Sequence, residues 1–161
     1  MILYHGSTIK VEKPSLAKCR PNTDFGRGFY TTTSRTQAEK WAKLKVQRAG
    51  KGVAIISEYE IDDNVFDSND YKTFKFTKPD KNWLDFVYNN RKGLLAYNYD
   101  FVFGPVANDR LFATITLYEQ GILTADAAIA QLKTYLLFDQ ISFNSQNAIN
   151  CLKVKSFEKL I

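Results

Sequence analysis

The chain has 161 residues and a mass of 18.5 kDa, which suits a single domain, 1–161, with a buried core. Hydrophobic residues make up 45% of the chain and aromatic residues 14%, so the composition excludes a disordered protein. The formal net charge of +5 is compatible with an anionic ligand or a nucleic acid but diagnoses neither.

The cysteines and the N-terminal residues bear on the compartment. Cys19 and Cys151 have no metal-ligand spacing and form no disulfide framework, so we expect ordinary thiols in a reducing compartment. The N-terminus has no basic region followed by an apolar stretch, and no apolar run approaches the ~20 residues of a membrane helix. We therefore expect a soluble, cytoplasmic protein with no metal site and no membrane segment.

The first half of the sequence predicts three strands and a helix. The strands cover residues 2–5, 29–32 and 53–61. Ser34 and Gln37 have the spacing of a capping box, in which each side chain satisfies a free backbone amide. The helix that begins there places Ala38 and Trp41 near one face and ends at Gly50. Three lysines of this helix are expected to be solvated surface: Lys40, Lys43 and Lys45.

The second half predicts an irregular alternation of helices and strands. Asp80 is expected to cap a helix in which Trp83 and Phe86 share a side. The further predicted strands cover residues 101–103, 140–143 and 154–157, and the further helices cover 110–119, 124–136 and 148–152. Because strands and helices do not alternate strictly, we predict an α+β fold with a mixed sheet.

The single histidine of the chain, His5, comes before Gly6 at the end of the first predicted strand. Histidine can donate and accept hydrogen bonds, and a following glycine lets a ligand approach the backbone. Tyr30 follows the glycine pair of the second strand, and Trp41 lies in the next helix. Two aromatic faces make a slot for nicotinamide or a base. The alternative for each is an ordinary structural residue.

Taken together, these motifs resemble the diphtheria-toxin and poly(ADP-ribose)-polymerase branch of the ADP-ribosyltransferases. The opening motif of that branch, Tyr/Trp-His-Gly-Ser/Thr, is matched by residues 4–7. Its second motif, Phe-Gly-Lys-Gly-Ile-Tyr-Phe before a helix with another aromatic, is matched by residues 25–31 and Trp41. The third motif is matched by residues 139–143, with Gln140 at the glutamate position. The resemblance spans nearly the whole chain.

More narrowly, the sequence is similar to small bacterial ADP-ribosyltransferase-like proteins, some of them toxins encoded beside an antitoxin. Residues 25–30, 37–42 and 104–109 look like the hallmark segments of that group. The last segment follows a predicted buried strand, so Asn108 and Asp109 become candidates for the rim of the pocket. Turn chemistry is the alternative, because Gly-Pro and Asn-Asp are common turn formers.

The resemblance implies a fold, a reaction and partners. The fold would be ADP-ribosyltransferase-like, with a mixed β-sheet core split around an NAD cleft and peripheral helices. The reaction would be NAD-dependent mono-ADP-ribosylation of a macromolecular acceptor, protein or nucleic acid, with NAD consumed as a substrate. The protein would act as a toxin in a toxin–antitoxin or defence pair, so an antitoxin protein is an expected partner.

The resemblance also assigns roles within the site. His5 would bond a ribose hydroxyl, the Gly6 backbone would hold the nicotinamide amide, and Tyr30 and Trp41 would sandwich the nicotinamide ring. Gln140, together with His5 and Tyr30, would form the catalytic set. The remaining NAD-binding candidates are Ser7, Phe25, Gly26 and Thr31, with Arg20 or Arg27 for the pyrophosphate.

Two departures from the family leave alternatives open. Gln140 carries no charge where the strongest transferases use glutamate, and Ala38 stands where the polymerases place a serine, so chain elongation is not expected. A non-enzymatic NAD- or partner-binding module of the same fold is therefore the main alternative. Removal of an RNA phosphate with NAD as acceptor is a second one, but it calls for a dense basic site.

Overall fold

A computed structural model describes residues 1–94, 98–106, 109–132 and 139–161, with only the backbone described for 109–112. Within these residues the chain combines strands and helices, so the predicted α+β class is confirmed. The strands are β1 (Ile2–Ser7), β2 (Phe29–Thr31), β3 (Ile55–Glu60), β4 (Thr73–Lys75), β5 (Phe101–Pro105), β6 (Asp139–Phe143) and β7 (Lys153–Lys159). The α-helices are α1 (Arg35–Ala49), α2 (Lys81–Arg91), α3 (Asp109–Glu119), α4 (Ala125–Leu132) and α5 (Gln146–Ile149).

The strands form two sheets. One has the order β1-β3-β7 and is antiparallel throughout, and the other has the order β2-β6-β5-β4. Strands β4 and β5 are parallel, whereas β2–β6 and β5–β6 are antiparallel, so the sheet structure is mixed as predicted. A single bridge joins the two sheets, where Tyr4 and Thr32 exchange backbone hydrogen bonds of 2.8 and 3.0 Å.

Helix boundaries follow the capping residues. Ser34 Oγ accepts a hydrogen bond from the Gln37 amide at 3.2 Å, and α1 ends at Gly50, whose φ of 65° is left-handed. Asp80 accepts from the Trp83 amide at 3.0 Å and starts α2 in the same way. The Ser34 half of the predicted capping box, the Asp80 cap and the stop at Gly50 are therefore confirmed.

Two apolar clusters hold the elements together. The first joins side chains from both sheets, among them Leu3, Phe29, Tyr59, Phe101, Ile141 and Phe143. The second packs the helices α2, α3 and α4 on the four-stranded sheet and includes Phe25, Trp83, Leu84, Phe86, Val102, Ile115 and Leu132. The four-stranded sheet is thus covered by apolar packing on both faces.

Several predicted boundaries were wrong by a few residues. The strand expected over 53–61 covers 55–60, because Val53 is exposed and unpaired with the sheet. The last helix lies at 146–149, where Ser145 caps it, rather than at 148–152. The short strand β4 was not predicted. Residues 133–136 of the helix predicted over 124–136 lie outside the described part of the chain. No helix within the described residues has the length and hydrophobicity needed to cross a membrane.

Candidate functional site

Strands β1 and β2 separate beyond their single bridge, and this split is the centre of the candidate site. Because backbone groups alternate in direction along a strand, the bridge at Tyr4 and Thr32 also turns the Gly6 and Tyr30 backbones toward the gap. Side chains, not the opposite strand, bond these groups: Lys45 Nζ donates to the Gly6 carbonyl at 2.6 Å, and His5 Nδ1 lies 2.7 Å from the Tyr30 carbonyl. The split therefore presents backbone polar groups to whatever enters it.

His5 fills the split as a neutral ring. The carbonyl of Tyr30 only accepts hydrogen bonds, so Nδ1 carries the hydrogen and Nε2 is left as an acceptor. The ring stacks on Phe29 with centroids 4.5 Å apart. Although the residue is partly accessible, dense surrounding protein and then the charge of Lys45 lower the pKa of His5 to about 3. His5 is thus a fixed, uncharged hydrogen-bond acceptor at neutral pH.

Gly6 brings α1 into backbone contact with β1. A Cβ atom at this position would lie 2.0 Å from the Ala38 carbonyl oxygen and 2.8 Å from the Ala42 amide nitrogen, so only glycine fits. Ala38 and Ala42 are fully buried by the same contact. Trp41 precedes Ala42 in this helix and is half-buried, which leaves part of its indole accessible.

The Tyr30 hydroxyl is engaged by the loop of residues 23–28, which we call the glycine loop. It donates to the Gly26 carbonyl at 2.7 Å, accepts from the Phe25 amide at 2.9 Å and lies 2.8 Å from Thr23 Oγ1. Burial is the main cause that raises the pKa of Tyr30 well above its ordinary value. Its hydroxyl is therefore unsuited to proton transfer at neutral pH, and its ring, which packs against the second apolar cluster, is only partly exposed.

Other contacts hold the glycine loop against the sheet and α2. Asp24 and Arg91 form an ion pair of 2.7 Å, with both side chains less than one-fifth exposed. Asn144 Nδ2 donates to the carbonyls of Phe25 and Arg27 at 2.8 and 3.0 Å. A Cβ atom at Gly28 would lie 2.2 Å from Ser142 Oγ, so the loop lies directly on β6. These contacts make the loop a fixed wall beside Tyr30.

Gln140 shares a sheet face with Tyr30. Tyr30 pairs with Ser142 in the β2–β6 ladder, and residues two apart on a strand point to the same face, so Gln140 lies one step along from Tyr30. Gln140 is buried, with only 4% of its surface exposed. Its Nε2 has no hydrogen-bond partner among the described residues. A buried amide without a partner is a group that a ligand could satisfy.

Lys45 brings a cation to the split, and a second cation, Arg20, acts on it. Partial burial, and then the charge of nearby Arg20, lowers the pKa of Lys45 to about 8, although much of the Lys45 side chain is exposed. Lys45 is exposed as expected, but its ammonium also donates a hydrogen bond to the Gly6 carbonyl at 2.6 Å. The position of Lys45 could have been predicted from helical spacing, because Lys45 lies on the same face of α1 as Ala38 and Ala42, and this face packs on Gly6.

Some predicted site residues have structural roles instead. Phe25 is a core residue at 2% exposure, and Thr31 is fully buried with its hydroxyl donating to the Ile141 carbonyl at 3.3 Å. Neither side chain offers an accessible atom to a ligand. Ser7 is nearly buried, with its Oγ accepting from the Ile9 amide at 3.5 Å. Arg27 is exposed and lies near Cys19. Burial raises the pKa of the Cys19 thiol, and the charge of Arg27 opposes this effect only in part.

The predicted rim residues and two cavities add no described side chain to the candidate site. Asn108 lies outside the described residues, and Asp109 begins α3 without a described side chain. One cavity of about 250 Å³ lies between β4 and α2 and is lined by Phe74, Phe76, Asn82, Asp85, Phe86, Asn89 and Tyr99. Another of about 440 Å³ lies between α1 and the last residues of the chain. No predicted site residue lines either cavity, so the split and its backbone groups define the candidate site.

The sequence matches a protein family over most of its length. A protein-family model described as "Protein of unknown function (DUF3990)" matches residues 1–154. No curated protein matches the sequence.

Proposed function

The chain belongs to the DUF3990 family, whose description assigns no activity, and we propose from its split sheet that it is an NAD-dependent mono-ADP-ribosyltransferase. The observation that carries the proposal is the convergence of His5, the Gly6 backbone and Tyr30 on one gap between β1 and β2. These are the residues that the resemblance to the ADP-ribosyltransferases assigns to NAD. They come from two motifs far apart in the sequence, and the fold places His5 Nδ1 2.7 Å from the Tyr30 carbonyl.

The nicotinamide end of NAD fits the backbone groups of the split. A carboxamide both donates and accepts, and the Gly6 amide and carbonyl supply the complementary pair along the edge of β1. The partly exposed ring of Tyr30 would offer an aromatic face, and the accessible part of Trp41, one residue from the Gly6 contact, would offer a second. Nicotinamide would thus be oriented by its amide and held by its ring.

The ribose fits the neutral imidazole. His5 Nε2 accepts a hydrogen bond from a ribose hydroxyl, while Nδ1 stays bonded to the Tyr30 carbonyl and fixes the ring. A neutral ring suits this role because the reaction develops positive charge on the ribose as the bond to nicotinamide breaks. An imidazolium at this position would oppose that charge.

The reaction itself is a substitution at the ribose carbon. The bond between that carbon and the nicotinamide nitrogen breaks, and its electron pair leaves with nicotinamide. A nucleophile of the macromolecular acceptor then forms the new bond and loses its proton to solvent or to a neighbouring base. Gln140, on the same sheet face as Tyr30, would accept a hydrogen bond from the ribose through its side-chain oxygen.

Nicotinamide release from NAD tests the proposal, with the wild-type protein compared with Gln140→Ala and Gln140→Glu. Losing one buried hydrogen bond costs about 1–3 kcal/mol, so Gln140→Ala is expected to reduce the rate by about tenfold to a hundredfold. Gln140→Glu adds a charge that favours the cationic transition state and should preserve or raise the rate. Repeating the assay at increasing pH shows whether this carboxyl is ionised, because burial raises the pKa of a glutamate.

The matched control is Gln120→Ala, which removes an exposed amide after α3. Thermal unfolding of each variant verifies that it is folded. If both Gln140 variants release nicotinamide at the wild-type rate, Gln140 does not take part in the reaction.

A binding module without turnover is the second candidate function. The observation that favours it is the neutral, buried side chain of Gln140, which cannot supply the charge of a glutamate. Calorimetric NAD binding by all three proteins, with no nicotinamide release from any of them, would establish this alternative.

A further inference from the structure

Lys45 is a cation without a counterion. Its ammonium has three donors, and the Gly6 carbonyl takes one of them at 2.6 Å. No carboxylate among the described residues forms an ion pair with it, and the charged group that acts on it is another cation, Arg20. Like charges repel, so an anion that contacts both side chains would be favoured by each of them.

The position of Lys45 limits which part of a ligand it can reach. Its ammonium is fixed at the Gly6 carbonyl, and its charge also acts on His5. Lys45 therefore stands where β1 and α1 meet, one helical turn after Trp41. Arg20, which is exposed, lies on the chain segment that leads to the glycine loop. An anion bound between these two cations would lie next to the groups proposed for nicotinamide and ribose.

We propose that Lys45, assisted by Arg20, binds the pyrophosphate of NAD; this inference rests on the proposed function and adds the anionic part of its site. The Gly6 carbonyl holds the ammonium in place, and two N–H donors remain for phosphate oxygens. Lys45 is thereby a substrate-positioning residue, because it touches the diphosphate and not the bond that breaks. The charge of Arg27, the other predicted pyrophosphate ligand, acts on Cys19, the residue before Arg20.

Calorimetry with fragments of NAD tests the assignment. Lys45→Met keeps the unbranched stem and removes the charge, and it is expected to weaken ADP-ribose and inorganic pyrophosphate binding by about tenfold to a hundredfold. Nicotinamide, which has no phosphate, should bind within about twofold of the wild-type affinity. Lys45→Arg should retain most of the ADP-ribose affinity, and the control Lys43→Met should change nothing, since Lys43 is exposed on the same helix.

The outcomes separate this inference from the proposed function. Unchanged ADP-ribose binding by a folded Lys45→Met protein overturns the inference, as does an equal loss of nicotinamide and ADP-ribose, which would mean that Lys45 only supports Gly6. Lys45-dependent binding of ADP-ribose without nicotinamide release from NAD supports the inference while rejecting the transferase. An RNA oligonucleotide that binds through Lys45 where ADP-ribose does not would assign the phosphate to nucleic acid and overturn the pyrophosphate assignment.

Discussion

At the scale of single residues, the candidate site depends on groups whose chemistry is set by their surroundings. His5 is neutral because burial and Lys45 disfavour its charged form, and Tyr30 keeps its proton because its hydroxyl is enclosed by the glycine loop. Gly6 is required because a backbone carbonyl lies where a side chain would begin. Each of these features leads to a measurable effect of substitution or pH.

His5 should make stability depend on pH in mildly acidic solution. With a pKa of about 3 in the folded protein and an ordinary value of 6.5 in the unfolded chain, the unfolded state binds more protons between these values, so stability falls as pH falls. From pH 7.5 to 5.5 the expected loss is about 1.4 kcal/mol. Urea unfolding at both pH values measures it, and a His5→Gln variant should lack this part of the loss. An equal loss in the variant would show that His5 titrates normally.

Gly6→Ala should destabilise the protein because its Cβ would meet the Ala38 carbonyl at 2.0 Å. The helix as a whole would have to move, at a cost of about 3 kcal/mol in unfolding free energy. Gly121→Ala is the matched control: nothing lies within 4 Å of its Cβ, and only its left-handed φ of 72° is strained, at about 1 kcal/mol. Equal losses for both variants in urea unfolding would contradict the close approach of α1 to β1.

At the scale of elements, local signals carried most of what the sequence could predict. The Ser34 and Asp80 caps set the starts of α1 and α2, so their positions were predictable from a few neighbouring residues. Strand β4 was missed because it has only three residues and is defined by its parallel pairing with β5, which the local sequence does not reveal. Burial of Gln140 was missed for a related reason, since it depends on packing across strands rather than on the local pattern.

Within the candidate site, the sequence pointed to the residues but not to their contacts. His5, Gly6 and Tyr30 were identified by motif, and the structure brings them to one split. Phe25 and Thr31 belong to the same motif, yet strand alternation and the glycine loop direct them into the interior. Lys45 has no motif at all, and its role follows from the helix face that packs on Gly6.

Tyr30→Phe tests whether the Tyr30 hydroxyl holds the glycine loop in place. The change removes the hydroxyl that bonds Phe25 and Gly26 but keeps the ring, so unfolding free energy should fall by about 1–3 kcal/mol. NAD affinity, measured by calorimetry, should fall less than in Tyr30→Ala, which also removes the aromatic face. Tyr59→Phe is the control, because Tyr59 is fully buried and its hydroxyl donates to the Val11 carbonyl at 2.6 Å, not to the glycine loop. It should lose stability without losing NAD affinity.

At the scale of the whole molecule, two sheets meet at one bridge and the candidate site lies at their junction. The outer strand of the smaller sheet, β7, is rich in exposed charge, including Lys153, Lys155, Glu158 and Lys159. Charged edges of this kind oppose pairing with another sheet. The fold thus presents a charged edge at β7 and an interruption of strand pairing between β1 and β2.

The proposed transferase should slow bacterial growth when the whole chain is expressed, because it would modify a macromolecular target and consume NAD. Growth curves of cells that express the wild type and Tyr30→Ala at matched protein levels test this expectation, with the variant expected to restore growth. Intracellular NAD measured in the same cultures should fall only with the wild type. Equal growth of the two cultures would argue against a toxin.

The pairing of β2 with β6 has a consequence for biosynthesis. Thr31 and Ile141 pair in this ladder although they are 110 residues apart in the sequence. Tyr30 therefore lacks its partner on β6, Ser142, until the chain has been translated past β6. At about 5–20 residues per second, that interval lasts roughly 5–20 s. Contacts of such long range also place folding toward the slow, millisecond-to-second end of the scale for single domains. A ribosome-bound chain therefore carries His5 and Tyr30 for seconds before β6 can complete the ladder beside them.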